Sequence, residues 1–309
     1  MKHLKGKAAV ITGAASGFGL ELARLAAAEG MQVVLADIEA QALASAEAEI
    51  AALGAQTLAF RLDVSKGAEV QALADATLAR FGVPGLVFNN AGVGAGGLVW
   101  ENSEADWHWL LGVNLMGVAH GVRIFTPLML EAARVDPAYE GHIVNTASMA
   151  GMQSAPTLGL YNTSKFAVVG LTDTLHHDLA LVTGQVSASV LCPALVNTGI
   201  GRSERNRQGA TSGLAPLTAS QRVGQQLTEQ GMAMSQVSAA DVAAMVMQAV
   251  RAQRFYIFTH PEAMRNVRTR ADDILQGRQP SDPFADLPGV TDYLKARLGA
   301  AAQSPAAAV

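Results

Sequence analysis

Cysteine is nearly absent: the 309 residues contain a single one, Cys192. That excludes an internal disulfide and a cysteine-built zinc cluster, and it fits a reducing compartment, the cytoplasm. Charge is scarce as well, at 16% of residues, and neither sign dominates: 22 Lys+Arg against 26 Asp+Glu give a formal net charge of −4. A protein that displaces counterions from nucleic-acid phosphates needs a basic face, so no nucleic-acid partner is expected. Long unbroken apolar runs are missing. The uncharged window 81–100 is interrupted by Asn89 and Asn90, and the window 179–201 by Gln185, Ser187, Pro193 and Asn197, so no membrane span is expected. Lys2, Lys5 and Lys7 precede an apolar stretch, as in a signal peptide, but Gly13, Gly17 and Gly19 break it and it leads straight into an amphipathic helix.

What is abundant is apolar material, 50% of the chain, enough for a large core. Short apolar runs at 8–12, 32–36, 57–62, 86–89, 142–146, 187–192 and 256–259 read as seven strands. Helix-patterned segments at 17–29, 40–53, 68–81, 103–134, 161–182 and 239–253 alternate with them. Ser238 followed three residues later by Asp241 reads as the capping box of the last of these. The alternation predicts an α/β fold, a doubly wound parallel sheet with helices on both faces. No linker divides the chain, so residues 1–309 are expected to be one domain. Two segments break the rhythm: 197–236, where a substrate lid would sit, and a C-terminal extension, 261–309, whose last ten residues, mostly alanine, are expected to fray.

Immediately after the first strand comes Gly13-Ala14-Ala15-Ser16-Gly17-Phe18-Gly19. Glycines at such a strand-to-helix turn let the backbone approach a pyrophosphate, which meets the unpaired N–H groups and positive end of the helix. Asp37 ends the next strand 18 residues beyond Gly19, where a carboxylate accepts the ribose hydroxyls of an adenosine. The same carboxylate repels a 2′-phosphate. Ala14, Ala15, Ser16 and Ile38 offer no compensating cation, so NAD is favoured over NADP. Asp37 also suits a second role, capping the helix that follows.

With these features the chain resembles the short-chain dehydrogenase/reductase family, over about residues 5–260. The glycine turn carries the resemblance, together with Asp63-Val64, Asn89-Asn90-Ala91-Gly92, Asn114, Ser148 and Tyr161-Asn162-Thr163-Ser164-Lys165. It implies a Rossmann-type fold and a catalytic set of Asn114, Ser148, Tyr161 and Lys165. It implies cofactor contacts from Gly13, Ser16, Gly17, Phe18 and Gly19, from Asp37 and Ile38, and from Asp63 and Val64 at the adenine. Asn90, Ala91, Gly92, Tyr161, Lys165, Pro193, Val196 and Thr198 complete the implied set. Asn114 is implied to hold a water linked to Lys165, and Ser148 to orient the substrate. One departure stands out: the family commonly has Pro-Gly where this chain has Pro193-Ala194.

The catalytic pair also has a chemistry of its own. Tyr161 and Lys165 lie four apart on a helix and project from one face. A free tyrosine, with a pKa near ~10, is a poor base at neutral pH. An ammonium beside it and a positive nicotinamide ring both favour the phenolate. Cys192 reads as a buried small hydrophobe. His108, His120, His176 and His177 lack the spacing of metal ligands. Trp107 and Trp109 suit a substrate entrance, a subunit interface or plain packing.

The implied reaction is reversible hydride transfer between a secondary alcohol and NAD. Leu214, Leu217, Val223, Leu227, Met232 and Met234, with Met149 and Met152, either line an apolar substrate pocket or pack the lid on itself. The stretches around Asn114 and Pro193 are similar to family members acting on bulky aromatic or alicyclic alcohols. Alternatives are a reductase of 3-oxoacyl thioesters or other carbonyls, and a dinucleotide sensor without catalysis. The resemblance further implies a homodimer or homotetramer built on the long fifth and sixth helices.

Overall fold

The structure, a computed structural model, describes residues 1, 3–207 and 217–302. Seven strands, β1 (Ala8–Thr12), β2 (Gln32–Asp37), β3 (Thr57–Arg61), β4 (Leu86–Asn89), β5 (Gly141–Thr146), β6 (Val186–Cys192) and β7 (Tyr256–Phe258), form one sheet in the order 3-2-1-4-5-6-7. Every pairing is parallel. The helices are α1 (Gly17–Ala28), α2 (Ala40–Ala52), α3 (Gly67–Phe81), α4 (Glu104–Leu111), α5 (Gly117–Val135), α6 (Gly159–Val182), α7 (Ala219–Ala233), α8 (Ala239–Ala252), α9 (Met264–Leu275) and α10 (Val290–Ala302).

Strand residues alternate between two cores, as the pleat requires. Ala9, Ile11, Val33 and Leu35 meet Leu22 and Ala26 of α1, Ile50 of α2 and Val246 of α8 on one face. Val10, Val34, Ala36 and Val87 meet Leu73 of α3, Phe125 and Met129 of α5 and Leu179 of α6 on the other. Because both faces are covered, the inner stretches of β1, β2 and β4 are apolar on both sides. A polar seam crosses this core. His142 on β5 lies between Ser187 and Ser189 of β6, with Nδ1 and Nε2 each 2.8 Å from a hydroxyl. Ser189 donates its own proton to the Arg254 carbonyl, so Nε2 carries the ring proton and Nδ1 accepts from Ser187.

The expected strands stand to within one residue, and Ser238 and Asp241 form the expected capping box. Three elements differ from expectation. The single helix expected over 103–134 is broken by a π turn, Gly112–Met116, between α4 and α5. The segment 197–236, where no helix is expected, carries a 3₁₀ run, Gly199–Asn206, and α7, which Thr218 and Gln221 open with a capping box. Gly224 and Gly231 masked the period of α7 in the sequence. They serve close packing: a Cβ on Gly224 would stand 3.4 Å from Gly97 N, and one on Gly97, at φ +108°, 2.6 Å from Gln221 Cγ. Beyond β7, α9 packs Met264 and Val267 against Phe255 and Phe258, and α10 lies on α7 with Leu294 buried. Leu214 lies outside the described residues, as do residues 303–309 of the expected frayed end. Ala300–Ala302 of that end continue the backbone of α10.

Among the described residues, the run Glu104–Val135 is long and apolar enough to cross a membrane by length and composition. Its inward face is accounted for by the core, where Ile124, Phe125 and Met129 are buried.

Candidate active site

The chain leaves β1 toward one side of the sheet and β4 toward the other, and a crevice opens at the carboxyl ends of these neighbours. A cleft of about 360 Å³ occupies that place and runs from Asp37 and Asp63 to Tyr161 and Lys165.

The first wall is the glycine turn. Gly13 and Gly17 adopt φ +67° and +53°, in the left-handed region that glycine enters without steric cost. A Cβ on Gly13 would stand 2.9 Å from Ala91 Cα, and one on Gly19 would overlap the Gly13 carbonyl. Ser16 occupies the N-cap of α1 without making a side-chain cap, so the first-turn N–H groups are left to the cleft. That cradle fits the diphosphate of a dinucleotide. Asp37 accepts the Ala15 N–H at one carboxylate oxygen and the Glu39 N–H at the other, both at 3.0 Å. It therefore ties the glycine turn to the start of α2 and keeps lone pairs for a ribose. Burial raises its pKa, against the pull of those N–H bonds.

Opposite stand Asp63 and Val64, with Ile38 beside Asp37. Ser65 donates its N–H and its hydroxyl to Asp63 at 3.0 and 2.7 Å, an Asx turn that aims the loop. Asn90 stitches β4 to β1, donating its N–H to Thr12 Oγ1 (2.9 Å) and its side-chain amide to the Thr12 carbonyl (3.0 Å). Ala91 and Gly92 follow along the floor.

At the far end Lys165, although almost wholly buried, donates to the Thr146 carbonyl at 3.0 Å and lies 5.6 Å from the centroid of the Tyr161 ring. Burial pushes Lys165 down to about 8 and Tyr161 up to about 12, while Ser148, whose hydroxyl faces the phenol, pulls Tyr161 back. Lys165 is therefore not by itself enough to deliver the lowered tyrosine pKa expected from the sequence. Ser148 accepts the Ala150 N–H at 3.1 Å and donates to the Pro193 carbonyl at 3.3 Å. Asn114 sits in the π turn, fully buried, and its amide brackets Val93: Oδ1 accepts the Val93 N–H at 2.8 Å and Nδ2 donates to the Val93 carbonyl at 2.9 Å. A Cβ on Gly92 would lie 3.4 Å from Asn114 Oδ1 and 3.6 Å from Lys165 Nζ, so the three residues share one corner. Four residues before Tyr161, Thr157 takes φ +61° and its carbonyl accepts the Gly97 N–H at 2.8 Å. A β-branched residue there is strained, by roughly 1–3 kcal/mol, and is held in place by its surroundings.

Pro193 and Thr198 line the cleft, with Thr198 Cβ 3.4 Å from where a Gly17 Cβ would stand. Val196 does not line it. Its side chain is buried in the core with α1 and α8, so a cofactor contact from it would be through the backbone. Ala194 carries no positive φ; among the described non-glycine residues only Thr157 and Gln253 do, so the departure from Pro-Gly leaves no strain. Cys192 is buried, which pushes its thiol up to about 12 and makes it an inert hydrophobe. Met149 is buried and Met152 half-buried in a core with Val168 and Val190, not free in a pocket. Val223 and Met232 are likewise buried, Leu227 is half-buried, and Leu217 and Met234 are exposed.

A third wall was not legible in the sequence. The Gly199–Asn206 run contributes Ile200, Ser203, Arg205 and Asn206 to the cleft, Arg207 follows, and α4 adds His108 and Trp109. Arg205 pairs with Glu39 at 2.8 Å, and Arg207 pairs with Asp106 at 2.6 Å while lying over the Trp109 ring at 5.4 Å. Burial works to raise the Asp106 pKa, but the bonds from Ser103 and the Arg207 guanidinium bring it below the usual carboxylate range. Scattered arginines in a polar segment give no periodic signal, which is why these pairs escape a sequence reading.

The chain is similar to known proteins. A short-chain dehydrogenase from Burkholderia phymatum, solved in complex with NAD, is 50% identical with a TM-score of 0.88, the match covering 92% of this chain and 99% of that one. A CLA biosynthesis dehydrogenase/reductase of Lactiplantibacillus plantarum is 32% identical over 93% of this chain and 99% of its own length. A 1-deoxy-11-beta-hydroxypentalenate dehydrogenase of Streptomyces avermitilis is 34% identical over 88% of this chain and 91% of its own length. Residues 7–209, from the start of β1 through the arginine-bearing wall, match the short chain dehydrogenase family, and with the sheet order, the glycine cradle and the Tyr161–Lys165 corner in place the chain belongs to that family of oxidoreductases.

Proposed function

We propose that the protein catalyses reversible hydride transfer between a hydrophobic secondary alcohol and its ketone, with NAD preferred over NADP. The observation that carries this reading is one continuous cleft with a carboxylate suited to a ribose, Asp37, at one end and Tyr161, backed by Lys165 and Ser148, at the other. The NAD seen with the Burkholderia phymatum structure and the dehydrogenase activity named for the Streptomyces avermitilis relative both support it.

In the alcohol-oxidising direction Ser148 hydrogen-bonds the substrate hydroxyl and Tyr161 takes its proton as the carbinol C–H bond breaks. Lys165 stabilises the phenolate and hydrogen-bonds the cofactor ribose. NAD bound in the cleft would supply the hydride acceptor, and its positive ring would add the second charge that Tyr161 needs to ionise against its burial. Asn114 fixes the Val93 backbone and holds a water next to Lys165. In the reverse direction Tyr161 returns the proton to the carbonyl oxygen, whose developing charge Ser148 stabilises. Gly13, Ser16, Gly17, Phe18 and Gly19 hold the diphosphate. Asp37 and Ile38 hold the ribose and adenine with Asp63 and Val64, and Pro193 and Thr198 meet the nicotinamide end.

The protein is assigned to the cytoplasm as a homodimer or homotetramer. Val122 and Leu171 line an open groove between α5 and α6, the helices implied to meet a second copy. The test is an oxidation screen over aliphatic, aromatic and alicyclic secondary alcohols, run with NAD and with NADP and followed by absorbance of the reduced cofactor. Turnover with NAD is expected, reduced by roughly 10²–10⁴-fold in Tyr161→Phe. Turnover of acyl thioesters with NADPH instead would overturn the substrate class and the cofactor choice together.

A further inference from the structure

The wall formed by Gly199–Asn206 differs in kind from the other two. The glycine turn and the β4 loop each lead directly off a strand at the crevice, whereas this segment lies beyond the end of β6 and packs on α7, with Gly201 close to Met232. What holds its far side is polar and specific. Ser203, buried, accepts the Gly94 N–H at 3.0 Å and donates to the Ile200 carbonyl at 2.5 Å. Arg205 folds the run on itself, donating to the Gly199 and Arg202 carbonyls at 3.0 and 2.7 Å, and its remaining nitrogens reach Glu39, just past Asp37 at the start of α2. Arg207 reaches Asp106 at the start of α4 and covers the face of Trp109. Glu39, Trp109, Arg205 and Arg207 all line the cleft, so the two ion pairs fasten one strap to two different walls of it.

Building on the dinucleotide reading above, we propose that Arg205 and Arg207 are cofactor-retaining residues: they clamp the Gly199–Asn206 strap across the bound dinucleotide, at Glu39 on one side and Asp106 on the other, and both clamps open for the cofactor to leave. The two differ in strength. The Arg205–Glu39 side chains are 40% and 33% exposed, so that pair is weak and screened by salt. The Arg207–Asp106 side chains are each 13% exposed, and the pair adds a cation–π contact, so it is the stronger fastening. Asp106 has a second hold on its position through the Ser103 cap, which keeps the α4 end of the clamp rigid while the strap moves.

A competing role, in which Arg205 simply attracts the cofactor phosphates, makes the opposite prediction for Glu39. Freed from Glu39, such an arginine would bind the anion more tightly, whereas a clamp without Glu39 opens. The experiment is stopped-flow release of NADH from the purified protein, chased with excess NAD and followed by NADH fluorescence, with melting temperature as the folding control. For the clamp, Glu39→Gln and Arg205→Gln each speed release about threefold, and the double variant releases no faster than either single one. Arg207→Met speeds it about tenfold or more, with Arg207→Lys in between because it keeps the charge and loses the planar stack. Release from the wild type and from Arg207→Met quickens with added NaCl, while release from Arg205→Gln no longer does. Slower release from Glu39→Gln, or wild-type rates in both Arg205→Gln and Arg207→Met, overturns the clamp and leaves the proposed function standing. A wild-type protein that binds no nicotinamide dinucleotide overturns both.

Discussion

At the scale of single residues, the site works by placing charge where burial opposes it. Lys165 is the clearest case: an ammonium that donates to the Thr146 carbonyl in a buried place that lowers its pKa to about 8 from an ordinary 10.5. Below pH 8 that burial destabilises the folded protein by on the order of 3 kcal/mol, and the penalty fades as pH rises from 8 toward 10.5, because there the unfolded chain holds the proton that the folded one has released. Lys165→Met is therefore expected to melt no lower than the wild type at pH 7 while losing turnover, a combination read from a thermal melt and the alcohol assay on one preparation. Residues of this kind were the most legible part of the sequence. Gly13, Asp37, Tyr161 and Lys165 act through fixed local spacing, a turn or one helix face, and local spacing survives in one dimension. Ser148 and Asn114 became legible only through resemblance. Their partners, Pro193 and Val93, lie 45 and 21 residues away.

At the scale of elements, the strands and most helices announced themselves by period and apolarity, and the exceptions have separate causes. The π turn at Gly112–Met116 leaves the apolar rhythm of its neighbours intact, so nothing in the pattern marks the extra residue that turns Asn114 toward Val93. α7 was lost for a different reason: its buried side is built partly from glycine, which carries no hydrophobic signal. Gly96 and Gly97 on the β4 loop meet Gly224 of α7 backbone to backbone, a close seam edged by Thr157 and Gln221. Gly97→Ala adds a Cβ 2.6 Å from Gln221 at a φ of +108° that alanine avoids. The expected cost is about 1–3 kcal/mol, seen as a lower melting temperature and as faster proteolytic nicking within α7. A variant that melts and resists protease like the wild type would show that the seam is looser than its geometry implies.

At the scale of the whole molecule, the apolar composition pointed to a large core and the alternation of strands and helices to one parallel sheet, but the strand order came only with the structure. So did the His142 seam, because a histidine and two serines in separate strands meet only once β5 and β6 are paired. Burial, with the nearby Met1 ammonium, holds His142 down to about 3 against an ordinary 6.5. Its folded pKa is depressed, so the stability it allows is complete above pH 6.5 and is lost as pH falls toward 3, by about 1.4 kcal/mol per pH unit. Between pH 6.5 and 4.5 the melting temperature should fall, and His142→Gln should flatten that fall; equal slopes would assign the acid lability to other groups. The left-handed turn at Thr157 bears on how the protein acquires its competence. A threonine does not settle at φ +61° unaided, and what holds it is Gly97 from one loop and the Gly224 face of α7. The loop that delivers Tyr161 therefore closes only after the outer layer has docked. In refolding from denaturant, helical signal and NADH binding should return first and alcohol oxidation last, so that turnover reports the completion of assembly. Simultaneous recovery of all three would mean that Thr157 adopts its turn with no help from the layer above it.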